Sequence, residues 1–171
     1  MKELLSTIVC NTTAAKEHVA EAEINIRVVK EQNRGVVNTL PFAYIPRQMK
    51  IELIYFVTLW LNEFPVKSIV SETFAPREIL LRRRMDAKKH YEALPGSYCE
   101  VHDKPNPSNT TVSRTNEGID LVPTGNIQGS VKFYCLNTGR VLKRRAFTDI
   151  PMPIAVIAKV NKIGKKENQG K

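Results

Sequence analysis

The spacing of apolar residues changes in the middle of this 171-residue chain, and that change limits the folds it can adopt. Before Pro95, apolar residues recur every three or four positions, as in "ELIYFVTLWLNEF", which is the period of a helix. After Pro95 they alternate with polar residues in short runs bounded by Gly, Pro, Asn or Asp, which is the pattern of β-strands. A chain that is helical first and strand-rich afterwards is predicted to belong to the α+β class.

Two long helices are predicted in the first half. The first follows a short strand in "STIVCNTT" and runs from about residue 14 to residue 38, with apolar stripes on two sides. A helix that is apolar on two sides is usually covered on both. The second lies in "QMKIELIYFVTLWLNEFP", ends before Pro65 and packs one side into the core, through Met49, Leu53, Phe56, Val57 and Trp60.

Four strand-like runs follow Pro95: "GSYCEVHD", "GIDLVPTG", "SVKFYCLNTG" and "RVLKRRAFTDIP". Within them "LNTGRV" predicts a tight hairpin, because Asn137 and Gly139 tolerate the positive φ that such turns require. Four or five short strands between residues 95 and 155 predict a small antiparallel β-barrel. Residues 156–171 are polar and basic, and they are predicted to form a flexible tail.

The net charge of +9 and the pI near 9.6 indicate a polyanionic partner, most often nucleic acid. The alternative is that the charge serves only solubility. Residues 1–94 carry 14 basic and 11 acidic side chains, and residues 95–171 carry 12 and 6, so the basic excess lies mainly in the second half.

Cysteine and histidine spacing argues against two common kinds of site. The three cysteines and three histidines are scattered and form no C-x-x-C, so neither a disulfide framework nor a four-ligand zinc site is expected. No secretory signal opens the sequence, and no apolar run reaches about 18 residues. The chain is therefore predicted to be intracellular, nuclear or cytoplasmic, and neither secreted nor bound to a membrane.

A stripe of charged residues lies on the first predicted helix. Glu23, Arg27, Lys30 and Arg34 are spaced four, three and four apart, which places them on one face. The stripe is either an ordinary solvated salt-bridge face or an acid for a metal set among cations for phosphate. A second basic cluster, "RRRMDAKKH", is likewise either a solvated face or a phosphate-contacting surface.

Most catalytic patterns are missing from the sequence. It contains no phosphate loop, no H-E-x-x-H and no nucleophile elbow. Two-metal nucleotidyl transfer remains conceivable, and it needs two or three carboxylates converging on divalent ions. Glu23 is the candidate for one of them, although a Glu–Arg pair four residues apart is common on any exposed helix.

The segment "EHVAEAEINIRVVKEQNRGVVNTLPF", followed by "ELIYFVTLWLNEFP", resembles the end of the integrase core in copia-type retrotransposon polyproteins. A helix of that family carries the last acid of a D,D,E triad, and Glu23 stands in its place here. Arg27, Glu31 and Arg34 match the family pattern. The departures from it are Ile24, Ile26, Val28, Gln32 and, conservatively, Val29.

The segment from residue 94 to residue 153 is similar to the small barrel, like a Src-homology-3 domain, that follows the core in these polyproteins. The matching positions are Pro123, Gly125, Gly129, Phe133, Tyr134, Thr138, Gly139, Arg140, Arg145 and Phe147. The likeness covers roughly residues 6 to 158. It implies a partial ribonuclease-H-like core in residues 1–94, the barrel in residues 95–155 and the basic tail in residues 156–171.

The resemblance implies Mg²⁺ or Mn²⁺ as cofactors of the parent family, with none held stably here. No aspartate precedes Glu23, since Asp86 is the first in the sequence, and one carboxylate cannot hold two divalent ions. A truncated integrase fragment that is catalytically incomplete is therefore expected. Its remaining activity would be non-specific DNA binding through Arg27, Lys30 and Arg34 on the helix, and through Lys132, Arg140, Lys143 and Arg145 in the barrel, where Lys143 and Arg145 share one strand face.

Two alternatives stay open from the sequence. The chain is a protein-interaction module with no role in nucleic-acid binding, or it is an integrase subunit whose missing acids come from another chain. The partners expected under these alternatives are a second copy of the chain or the missing part of an integrase core.

Overall fold

The computed structural model describes residues 19–65, 71, 73–102, 113–168 and 170. Its helices in this part of the chain are α1 (Ala20–Thr39), α2 (Arg47–Glu63), α3 (Pro76–Leu81), α4 (Ala87–His90) and α5 (Ile154–Lys166). Its strands there are β1 (Tyr98–His102), β2 (Thr115–Pro123), β3 (Val131–Cys135), β4 (Val141–Arg144) and β5 (Phe147–Asp149). The predicted α+β class is confirmed. None of the described helices combines the length and the apolarity that crossing a membrane requires.

The described strands form one antiparallel sheet in the order β4-β3-β2-β1-β5. β3 and β4 make the hairpin predicted at "LNTGRV", and Gly139 takes a φ of +67° there. The last predicted strand is in fact two, because a bend at Arg145 and Ala146 separates β4 from β5. β4 and β5 lie at opposite edges of this open sheet. The predicted antiparallel strands are thus confirmed, while no described pairing closes them into a barrel.

The main core lies between α2 and one face of the sheet. Met49, Leu53, Phe56 and Val57 are buried, as the helical period predicts, and each such side chain contributes about 1.5–3 kcal/mol. They share the core with Ile119, Leu121 and Tyr134 of the sheet and with Val156 and Val160 of α5. One core therefore includes residues from both predicted domains, 1–94 and 95–155.

Trp60 does not lie inside that core, so the prediction that it packs there is wrong. It is 42% exposed and lies near the end of α2. Its ring contacts Phe64 at 4.8 Å and Tyr91 at 5.4 Å between centroids. The helical period placed Trp60 on the same side of α2 as Phe56, whose ring lies 6.1 Å away between centroids.

Helix α5 replaces most of the predicted flexible tail. The prediction for residues 156–171 is wrong over residues 156–166, which are helical, with Val156, Val160 and Gly164 buried. The Asn161 side-chain oxygen accepts hydrogen bonds from the backbone N–H groups of Ala43 and Tyr44, at 2.8 and 2.9 Å. These contacts fix α5 on the connection between α1 and α2.

The first turn of α2 receives its cap from the far end of the chain. Pro46, at the N-cap position, has no side-chain hydrogen bond to offer. A Glu167 carboxylate oxygen instead accepts a hydrogen bond from the Arg47 N–H at 2.7 Å. This carboxylate also lies at the positive end of the helix dipole, which stabilises the start of α2.

Helix α1 lies at the edge of the core. None of its residues is buried, and only Val29, Val36 and Val37 are partly buried against the main core. The prediction that both apolar sides are covered is wrong for Ile24 and Ile26, which are exposed. The predicted strand and helix start before residue 19 lie outside the described residues, so the ribonuclease-H-like half stays a prediction.

Candidate nucleic-acid interface

The basic stripe of α1 is on the surface, as its spacing predicts. Glu23, Arg27, Lys30 and Arg34 are all exposed and line one shallow depression together with Ile26 and Glu31. The three cations outnumber the two carboxylates of this depression, Glu23 and Glu31, so this face of a helix with no buried residue offers a small positive excess to a polyanion.

The described residues do not fit a two-metal site at Glu23. Among them, no group of three or more His, Cys, Asp or Glu side chains is placed to hold a metal ion. Two-metal transfer requires such convergence, because each ion needs several oxygen ligands.

Lys132 takes a different place from the one predicted. Its ammonium lies 2.7 Å from a Glu52 carboxylate oxygen and 5.3 Å from the centre of the Tyr55 ring. Glu52 is buried on α2, and the two side chains are only 8% and 23% exposed. The Lys132 ammonium is thus bound inside the fold, where it ties α2 to β3. No local sequence pattern predicts this pair, because its members are 80 residues apart.

The other predicted cations of the hairpin region are exposed. Arg140 lies in the turn, Lys143 on β4 and Arg145 in the bend that follows β4. The prediction that Lys143 and Arg145 share one strand face fails, because β4 ends at Arg144 and alternation stops there. Lys143 lies directly opposite Lys132 across the β3–β4 pair.

The five Arg and Lys side chains of the cluster "RRRMDAKKH" are exposed, but some of them, like the nearby Arg77, contact other parts of the fold. Arg77 and Arg83 both donate to the carbonyl oxygen of Gly125, at 2.8 and 3.3 Å. Gly125 has a φ of +66°, and a Cβ atom there would lie 2.4 Å from the Arg77 guanidinium. His90 is buried, and its two ring nitrogens lie 2.8 Å from the carbonyl oxygens of Asp86 and Asn126. Within the cluster, Arg84 also pairs with Glu78 at 2.6 Å and Lys89 with Asp86 at 3.7 Å, which favours intramolecular contacts over phosphate binding for Arg83, Arg84 and Lys89.

Helix α5 adds cations that the sequence analysis assigned to a flexible tail. Lys162, Lys165 and Lys166 are exposed on it. Lys159 donates to Glu117 at 2.8 Å and to Asn137 at 2.9 Å, so α5 lies beside the hairpin that carries Arg140. The spacing of Val156, Val160 and Gly164 was the available signal that this basic segment has a buried face.

A thiol and two carboxyl groups share the other face of the sheet. Burial raises the pKa of Cys99 to about 12, and the charges of Asp120 and Asp149 add to this. Burial, and then the charge of Asp149, raises the pKa of Asp120 well above its usual value. A buried, protonated thiol is a poor nucleophile. Cys99 is also buried while His102 is exposed, as expected for opposite strand faces, so the two form no catalytic pair.

The chain matches no protein-family model, no curated protein and no solved structure.

Proposed function

We propose that the chain binds DNA without sequence preference, through contacts from lysine and arginine side chains to backbone phosphates. The observation that carries this proposal is the exposed stripe of Arg27, Lys30 and Arg34 on a helix with no buried residue. Arg140, Lys143 and Arg145 form a second exposed basic surface at the hairpin. Contacts of this kind release condensed counterions, so binding weakens steeply with salt.

The relation to copia-type integrases is part of this proposal. It is supported by the register of Glu23, Arg27, Glu31 and Arg34. It is also supported by the sheet order, in which β1 to β4 follow one another and β5 returns beside β1. Closing the gap between the two edge strands would turn this sheet into a small Src-homology-3-like barrel. An integrase subunit completed by another chain would show Mn²⁺-dependent strand transfer that is lost in Glu23→Gln.

Fluorescence anisotropy with a labelled duplex of random sequence tests DNA binding. We expect the logarithm of the association constant to fall linearly with the logarithm of salt concentration. The triple variant Arg27→Gln, Lys30→Gln, Arg34→Gln is expected to reduce that slope by about 2.7, since each neutralised phosphate contributes about 0.9.

A matched triple variant controls for total charge. Arg84→Gln, Lys88→Gln, Lys89→Gln removes an equal number of positive charges from exposed positions, two of which form ion pairs within the fold. It is expected to change the salt slope by less than about 1, which is the contribution of a single phosphate contact. Binding that does not depend on salt contradicts the proposed interface, and so does an equal reduction of the salt slope in the two triple variants.

A protein-interaction module is the second candidate function, and one observation favours it. An apolar groove of about 870 Å³ lies between α1, α2 and residues 87–97, with Trp60 and Leu94 exposed at its wall. Exposed apolar surface of this kind is typical of interaction sites. Concentration-dependent self-association without DNA, measured by sedimentation and lost in Leu94→Glu, would support this function. A monomer that binds DNA supports the first.

A further inference from the structure

A second groove lies on the opposite flank of α2, between that helix, α3 and strands β2 to β4. Its volume is about 530 Å³, within the range of small-ligand sites. Among the described residues, its lining combines an aromatic ring, apolar side chains, polar side chains and cations, and contains no carboxylate. Its lining includes Tyr55, Leu80, Leu81, Arg77, Lys132 and Lys143.

The aromatic and aliphatic walls of this groove are open to solvent. Tyr55 is 58% exposed, and Leu80 and Leu81 are exposed on α3. The Tyr55 ring is held by the Lys132 ammonium, 5.3 Å from its centre, and Glu52 fixes that ammonium in turn. A ring positioned in this way before binding loses little conformational freedom when a ligand stacks on it.

The positive charges around the groove are not equivalent. Arg77 forms an ion pair with Glu63 at 3.0 Å, and Lys132 forms one with Glu52. Lys143 is exposed and has no ion-pair partner within the part of the chain that the structure describes. Lys143 is therefore the cation that this groove offers to an anionic ligand.

We propose that this groove binds an unpaired nucleotide of single-stranded DNA, with the base against Tyr55, Leu80 and Leu81 and a neighbouring phosphate at Lys143. The proposal rests on the DNA binding proposed above and names the form of DNA that the groove selects. Every base has a π-face that can stack on an aromatic ring, so no sequence preference is required. Bases inside a duplex are already stacked, and only their edges are accessible in the grooves. The protein should therefore bind single strands more tightly than duplex.

Anisotropy titrations with a labelled oligothymidylate and with a duplex of equal length test this groove. Tyr55→Ala is expected to weaken single-strand binding by about 5- to 150-fold, since stacking on one aromatic ring contributes about 1–3 kcal/mol per base. Tyr55→Phe keeps the ring and should bind within about twofold of the wild type. Lys143→Gln should reduce the single-strand salt slope by about 0.7.

Two controls separate the groove from the fold and from DNA binding in general. Phe74→Ala removes another exposed aromatic ring that does not line this groove, and should leave affinity unchanged. Urea midpoints of Tyr55→Ala and Tyr55→Phe establish that both variants fold. Equal affinity for single-stranded and duplex DNA would overturn the proposal that this groove binds a nucleotide. Unchanged single-strand affinity in a folded Tyr55→Ala variant would overturn it too. Both results leave the proposed function intact. Absence of binding to either DNA overturns both.

Discussion

Glu52→Gln is expected to destabilise the fold by about 2–3 kcal/mol, because it leaves the Lys132 ammonium half-buried without a carboxylate. At 2.7 Å and an effective dielectric constant of about 20, the two charges attract by about 6 kcal/mol. Desolvation of both groups cancels most of that attraction in the intact pair. Breaking a buried pair costs about 3–5 kcal/mol. Lys132 is 23% exposed and can turn its ammonium towards water, which lowers the expected cost.

Urea unfolding followed by the fluorescence of Trp60, the single tryptophan, measures this loss. The midpoint should fall with the m value unchanged. The double variant Glu52→Leu, Lys132→Met should return to within about 1 kcal/mol of the wild type, since an apolar pair of similar volume replaces two charges. Arg84→Gln is the matched control. It breaks the ion pair between Arg84 and Glu78, whose charged atoms lie 2.6 Å apart. Because the Arg84 side chain is 68% exposed, the free energy of unfolding should fall by less than about 1 kcal/mol.

A loss below about 0.5 kcal/mol for Glu52→Gln, equal to the loss in the control, would refute the reasoning. It would mean that the Lys132 ammonium is solvated in the native state. Lys132 would then return to the set of cations available to phosphate.

Three further predictions concern stability and reactivity. Gly164→Ala should lower the free energy of unfolding in urea by about 1–3 kcal/mol, because the added Cβ would lie 2.7 Å from the backbone of Tyr44. Gly35→Ala on α1, where nothing lies within 4 Å of the added Cβ, should raise it by about 0.5–1 kcal/mol. A Gly164→Ala variant as stable as the wild type contradicts the packing of α5. The raised pKa of Asp120 means that the folded state binds the carboxyl proton more tightly than the unfolded state does, so the stability that this proton contributes is lost as pH rises from about 4 through the raised pKa. Urea midpoints measured across this pH range should therefore fall less steeply in Asp120→Asn than in the wild type. An equal fall of the midpoint in both proteins contradicts burial of the carboxyl. In a Cys10→Ser background, a thiol reagent at mildly alkaline pH should label the two remaining thiols, Cys99 and Cys135, only on unfolding. Fast labelling of the native protein that maps to Cys99 contradicts its burial.

The periodic parts of the fold were predictable from the sequence. The buried side of α2 follows from the spacing of Met49, Leu53, Phe56 and Val57, and the β3–β4 hairpin follows from Gly139. These features are local, so a short window of sequence contains the physical cause of each.

Other parts were not predictable because their causes are distant in sequence. Glu52 sits on the apolar side of α2 only because Lys132, on a strand 80 residues away, neutralises it. Gly164 suggests a helix break, yet here it allows close contact with the Tyr44 backbone. For the candidate site, the sequence predicted the exposed stripe of α1, but no local pattern distinguishes Lys132, which is held internally, from Lys143, which is exposed.

The capping of α2 by Glu167 has a consequence for synthesis on the ribosome. The hydrogen bonds from Ala43, Tyr44 and Arg47 to α5 and Glu167 join positions 117 to 120 residues apart. The helix that forms the centre of the core therefore leaves the exit tunnel long before the residues that complete it. During that interval the apolar side of α2 lacks part of its cover, and the nascent chain is open to chaperones and to aggregation. Only when residues 154–167 have emerged can Val156 and Val160 join this core and Glu167 contact the start of α2.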